Sequence, residues 1–167
     1  NTAGGYSNTA VGVGALGLNT SGGDNTALGH GSLASVTSAS GNTAVGRFSG
    51  STATGGNNVF IGNLADASIG FPLFSKSVAI GYQATVAASN SLILGGTGVD
   101  QVKVGIGMTA PTETLDVNGN INLASTTAKI IKMNGANFIH TRGLSGNGAF
   151  SVFLGENAGN LVVTGTR

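Results

Sequence analysis

The chain has 167 residues, of which Gly, Ala, Thr, Asn and Ser supply 101 and Asp, Glu, Lys and Arg only 13, for a net charge of +1. Charged residues make up roughly a quarter of an ordinary soluble chain, so small polar side chains must cover this surface instead. The balance argues against nucleic acid as a partner, the lack of Cys removes disulfides and thiolate metal sites, and no apolar stretch reaches the roughly 18 residues of a membrane span.

The chain opens at Asn1 inside a repeat, with no basic and apolar leader, and reads as a segment of something larger. Asn8-Thr9-Ala10-Val11-Gly12 returns as Asn25-Thr26-Ala27-Leu28-Gly29 and Asn42-Thr43-Ala44-Val45-Gly46. Aligned on the closing Gly, the units end at Gly12, Gly29, Gly46, Gly62, Gly81 and Gly95, with spacings of 17, 17, 16, 19 and 14. A unit this short cannot enclose a core of its own, so each copy is expected to stack on its neighbours. Regularly placed aliphatic residues and a positive mean hydropathy set the chain apart from disordered Gly-rich sequence.

Each unit predicts a short strand, in which alternate residues share a face. The residue before the Gly is always aliphatic: Val11, Leu28, Val45, Ile61, Ile80 and Leu94. This row is expected to fill the interior of a coil. The mostly Ala row one residue earlier, with the Gly, is expected to form a narrow outer face against which another chain packs. Small residues three positions past the Gly (Ala15, Ser32, Ser49, Ala65, Ala84) predict a second short strand per coil. Directly after the Gly stand Val13, His30, Arg47, Asn63 and Tyr82, which share no chemistry and therefore read as solvent-facing.

Gly- and Ser-rich connectors join the units. The longest interruption, Ile69 to Lys76, contains Phe71, Leu73 and Phe74. It either plugs a gap by packing, the commoner outcome for Phe, or offers an apolar loop to a partner. At Val99 the pattern changes. Leu115 to Leu123, around Asn118-Gly119, and Lys129 to Ile139, around Asn134-Gly135, both predict β-hairpins. Ser151-Val152-Phe153-Leu154-Gly155 then repeats the pattern of Asn58-Val59-Phe60-Ile61-Gly62. Three regions follow: a repeat array over 1–98, a hairpin-rich junction over 99–146, and a resumed array over 147–167 that continues beyond the segment.

Ser77-Val78-Ala79-Ile80-Gly81, followed after 14 residues by Ser91-Leu92-Ile93-Leu94-Gly95, resembles the head repeat of trimeric autotransporter adhesins. Val104-Gly105-Ile106-Gly107-Met108-Thr109-Ala110-Pro111, leading into Leu115-Asp116-Val117-Asn118-Gly119-Asn120-Ile121, resembles a junction of phage tail fibres and related bacterial surface fibres. The 17-residue spacing departs from the 14-residue adhesin period. The resemblance implies an all-β, parallel homotrimeric fibre built from a short-repeat β-roll or β-solenoid. It further implies an extracellular structural and adhesive role, in a phage or phage-like injection particle or on a bacterial surface. The implied partners are two further copies, other fibre or baseplate components, and a cell-surface glycan or protein.

Several motifs match only as strings. Gly12-Val13-Gly14-Ala15-Leu16-Gly17 has the spacing of a dinucleotide fingerprint but lacks the helix and the βαβ unit that such a site needs, so no cofactor is expected. Gly95 to Lys103 matches one calcium nonapeptide, whereas such sites need successive turns, and Asp100 reads as a loop residue. Asn19-Thr20-Ser21 is a glycosylation sequon by pattern alone. His30 and His140 are far apart and without ligand spacing; three copies of one of them could meet on a trimer axis, but no metal is expected. The scattered carboxylates, among them Asp24, Asp66, Glu113 and Asp116, give no local pair for catalysis, so no enzyme is expected.

Attachment is thus the expected function, by weak sites repeated around a trimer. The candidate receptor contacts are His30, Arg47, Asn63 and Tyr82 after the repeat Gly, and Phe71, Leu73 and Phe74 in the interruption. The alternatives are a cell-anchored adhesin, a polysaccharide-cleaving tailspike and, last, an ice-binding surface on Thr9, Thr26 and Thr43.

Overall fold

The computed structural model describes residues 5–68, 70, 73–97 and 101–121, together with the backbone of 130–133 and 136–140. Its residues fall into two units, Asn1–Gly119 and Asn120–Arg167.

In the first unit each repeat supplies one three-residue strand. These are β1 (Thr9–Val11), β2 (Thr26–Leu28), β3 (Thr43–Val45), β4 (Val59–Ile61), β6 (Val78–Ile80) and β8 (Leu92–Leu94). They pair in parallel as one six-stranded sheet in the order β1-β2-β3-β4-β6-β8. Repeat residues meet in register: Thr9, Thr26, Thr43, Val59, Val78 and Leu92 form one row. The array is therefore a β-solenoid, rising one strand spacing of about 4.8 Å per coil.

Left-handed backbone ends each strand and restarts the next. Gly46 has φ +131°, and a Cβ there would lie 2.5 Å from the Gly62 carbonyl oxygen of the next coil. No other residue fits this position, because both the dihedral and the stacking distance exclude a side chain. The residue that precedes each unit is also left-handed, at Ser7, Asp24, Gly41, Asn57, Lys76 and Asn90.

The two strand faces are the reverse of those expected from the sequence. Ala27, Ala44, Phe60 and Ala79 are fully buried and line the interior, whereas Val11, Leu28, Ile61, Ile80 and Leu94 are 37–55% exposed. The interior side of the coil is closed by Leu16, Leu33, Val36, Phe74 and Val86, so little room remains opposite the strand, and Ala fits there. Phe60 enters this Ala row because Gly50 stands where coils one and two carry Leu16 and Leu33. A Cβ on Gly50 would lie 2.7 Å from both the Phe60 ring and the Leu33 side chain. Large and small side chains thus alternate between adjacent coils to hold interior density.

The first residue of the unit builds a second ladder. The backbone N–H groups of Asn25, Asn42 and Asn58 donate to the side-chain Oδ1 of Asn8, Asn25 and Asn42, at 2.9, 2.9 and 3.0 Å. The Ser77 N–H donates to Asn58 Oδ1 at 3.0 Å. The amide groups of Asn8, Asn25 and Asn58 reach across to the carbonyls of Gly22, Ala39 and Phe74. Among the described residues no buried side-chain polar atom lacks a partner, as a polar interior requires.

Among the described residues the expected second strand forms in two coils only. β5 (Asp66–Ala67) and β7 (Thr85–Val86) pair in parallel. In the earlier coils the equivalent residues Leu16, Leu33 and Gly50 are left-handed, which breaks the extended run into turns. The Ser32 and Ser49 hydroxyls close these turns by donating to Gly29 and Gly46, each at 2.9 Å.

Past the array, β10 (Leu115–Val117) pairs in parallel with β9 (Val104–Ile106). This corrects the expected hairpin at Asn118-Gly119. The Asn118 N–H donates to Ile106 O and its side chain to Gly107 O, so the Asn binds back to β9 rather than turning a hairpin. In the second unit, β11 (Ile130–Met133) and β12 (Ala136–His140) pair antiparallel, as the Asn134-Gly135 pattern predicts, with a register shift at Ile131/Lys132. The resumed array expected over 147–167, and Asp100 of the calcium-like string, lie outside the described residues.

Candidate functional site

The residues that follow the repeat Gly are stacked into a ridge. Gly31 N–H donates to Val13 O, Phe48 N–H to His30 O, Leu64 N–H to Arg47 O and Gln83 N–H to Asn63 O. Val13, His30, Arg47, Asn63 and Tyr82 therefore occupy successive rungs, about 4.8 Å apart, past the turn that ends the sheet. All five are exposed. The structure brings these sequence candidates into one line.

The ring contacts of the ridge gather at its centre. The Arg47 guanidinium carbon lies 4.3 Å from the centre of the Phe48 ring. The His30 ring meets the same ring edge to face, with centroids 4.8 Å apart and an interplanar angle of 77°. Phe48 occupies the left-handed position two residues past the repeat Gly, with φ 54°, where the first two coils carry Gly14 and Gly31. Its ring lies over Gly31, and a Cβ on Gly31 would overlap it. Higher on the ridge, Gln83 Nε2 donates to the Tyr82 hydroxyl at 2.7 Å. Sequence reasoning singled out His30 and Arg47 but missed Phe48. The available signal was a bulky residue at a position held by Gly in the preceding copies.

The interruption divides between packing and display. Phe74 is 7% exposed and belongs to the core, which removes it from the candidate contacts, whereas Leu73 is 79% exposed. Together they border an open groove of about 320 Å³ with Ala87, Ala88 and Ser89. Phe71 lies outside the described residues. A second cavity of about 260 Å³ is lined by Asn8, Ala10, Ala15, Leu16 and Asn19 of the first described coil.

Among the described residues Asp66 is the one carboxylate drawn into the solenoid wall. It accepts hydrogen bonds from Ser51 Oγ at 2.8 Å, from the Thr52 N–H at 3.0 Å and from the Ala67 N–H at 2.7 Å. Burial nevertheless outweighs these bonds and raises its pKa above the ordinary aspartate value of 3.8. Its partners are hydroxyl and backbone groups, so the arrangement is that of a carboxyl bracing two coils. Among the described residues no three His, Cys, Asp or Glu side chains gather into a metal-binding group, and no helix is long and apolar enough to cross a membrane.

The remaining candidate surface is the sheet itself. The Thr9 to Leu92 row and the Val11 to Leu94 row run side by side along all six strands, and the second half, Val59/Ile61, Val78/Ile80 and Leu92/Leu94, is wholly aliphatic. Comparison with family models, with curated proteins and with solved structures finds no match to this chain.

Proposed function

We propose that the chain is a structural and adhesive segment of a homotrimeric extracellular fibre, of the kind that serves a phage or a phage-like contractile injection system as a tail fibre, attaching the particle to a host cell. The observation that carries this reading is the aliphatic sheet face. Every coil adds an aliphatic side chain to this in-register strip, and the last three coils add two, with Val11, Leu28, Ile61, Ile80, Leu92 and Leu94 exposed. Apolar surface gains roughly 25 cal/mol per Å² when it is covered, and contiguous exposed patches mark interaction sites.

Other copies of the same chain are the natural cover, because a repeated flat strip matches itself in spacing over its whole length. The number three rests on the resemblance of the Ser77 to Gly95 repeats to trimeric adhesin heads. In such an assembly the ridge of His30, Arg47, Asn63 and Tyr82 stays outside, since it lies past the Gly turn and off the sheet face. Three ridges at fixed separation would bind by avidity, with no catalytic step. The fibre would join other fibre or baseplate components at its ends.

Immobilised chain is expected to retain cells of at least one strain from a panel of Gram-negative and Gram-positive bacteria, with free chain competing for retention. Absence of retention across the panel would contradict the adhesive reading.

A further inference from the structure

We infer that the centre of the ridge is a binding site for a carboxylate-bearing saccharide, with the Arg47 guanidinium as its fork and the Phe48 ring as the platform that holds it. The inference deepens the attachment reading and rests on it for biological meaning, though not for its chemistry.

Phe48 is fixed from three sides. Its backbone N–H is bonded to His30 O at 2.8 Å, its left-handed φ restricts the rotamer, and its ring lies over Gly31. Arg47 stacks on that ring at 4.3 Å. A guanidinium over a ring is held by the ring's negative face, which accepts none of its N–H groups as a carboxylate would, so they remain to donate. Among the described residues none accepts a hydrogen bond from Arg47 and no carboxylate pairs with it. The His30 imidazole, edge to face with the same ring, likewise has no hydrogen-bond partner among the described residues. Two donor-bearing side chains therefore meet one ring support on a surface that carries few charges.

The planar fork of an arginine matches the two oxygens of a carboxylate. A phosphate or sulfate usually gathers more than one permanent cation, and Arg47 is the only one on the ridge. Asn63 and Tyr82 extend the site along the next two rungs with an amide and a phenol, making a strip about 14 Å long rather than an enclosed pocket. A strip of separated polar groups suits the hydroxyls of an extended sugar chain. An acidic peptide is the weaker fit, because a bound peptide draws on apolar pockets or on a free strand edge, and the ridge offers neither.

The test is calorimetric titration of the full chain with oligogalacturonate, a neutral oligogalactan of equal length, a phosphorylated mannan and poly-glutamate. The uronate is expected to bind and the neutral chain not to bind. Arg47→Gln should weaken uronate binding by roughly tenfold to a hundredfold, the worth of a lost charged hydrogen bond. Arg47→Lys, which keeps the charge and loses the fork, should not restore it. Unchanged affinity in Arg47→Gln, equal binding of the neutral chain, or tighter binding of phosphomannan or poly-glutamate would each overturn the assignment. Cell capture that survives Arg47→Gln, together with uronate affinity unchanged in that variant, would sink this site while leaving the attachment reading intact. Arg47-dependent uronate binding without any cell capture would do the reverse.

Discussion

At the scale of single residues, asparagine is the unit's most constrained side chain. Asn42 is buried; its Oδ1 accepts the Asn58 N–H at 3.0 Å and its Nδ2 donates to Asn25 Oδ1 at 3.2 Å. Asn42→Ala would leave the Asn58 N–H buried without an acceptor, which costs about 1–3 kcal/mol. Chemical denaturation of the variant should show a loss in that range, and a loss under about 0.5 kcal/mol would contradict the ladder's role. The recurrence of Asn8, Asn25, Asn42 and Asn58 is plain in the sequence, but its reason is not. Asn is common in turns, and only the three-dimensional stack shows each side chain serving the next coil's backbone. Phe48 was hidden for a related reason. A bulky residue in a glycine position reads as variation until its ring is seen lying over Gly31, in contact with Arg47 and His30.

Among elements, strand positions were legible and strand orientation was not. The pattern that ends in Gly places β1, β2, β3, β4, β6 and β8, because a three-residue extended segment closed by a φ-positive Gly leaves few options. Period-2 alternation defines two faces without saying which is inside, and here both are apolar, Ala on one and Val, Leu or Ile on the other. The presence of Phe60 in the Ala row was the available clue, since a narrow outer face has no place for Phe. The Asn118-Gly119 pattern misled because Asn-Gly also suits a loop that bonds back to a preceding parallel strand. Asp66 in β5 carries a prediction at this scale. Its pKa is raised in the folded chain, so the folded state holds its proton more tightly than the unfolded state does. Its contribution to stability is greatest below pH 3.8 and is lost as pH rises through the folded value. Asp66→Asn should therefore flatten the pH dependence of unfolding in that acidic window, as measured by denaturant titration at successive pH values. An unchanged slope would show that the charge is not being desolvated.

On the scale of the whole molecule, the inverted register carries the largest consequence. Had the aliphatic row filled the coil, the outer face would have been a strip of Ala and Gly, with little apolar area for another chain to cover. With Ala inside, a row running from Val11 to Leu94 meets water on every coil of the sheet, beside the Thr and Val row. On the proposed reading this face serves self-association and the ridge serves recognition. The central claim is that copies of the chain cover this face. Sedimentation equilibrium of the chain at micromolar concentration tests it most directly: the account predicts a stable species of three 16.2 kDa chains, which Ile61→Lys dissociates by placing a charge in the apolar strip. A stable folded monomer, or a trimer indifferent to Ile61→Lys, would contradict it.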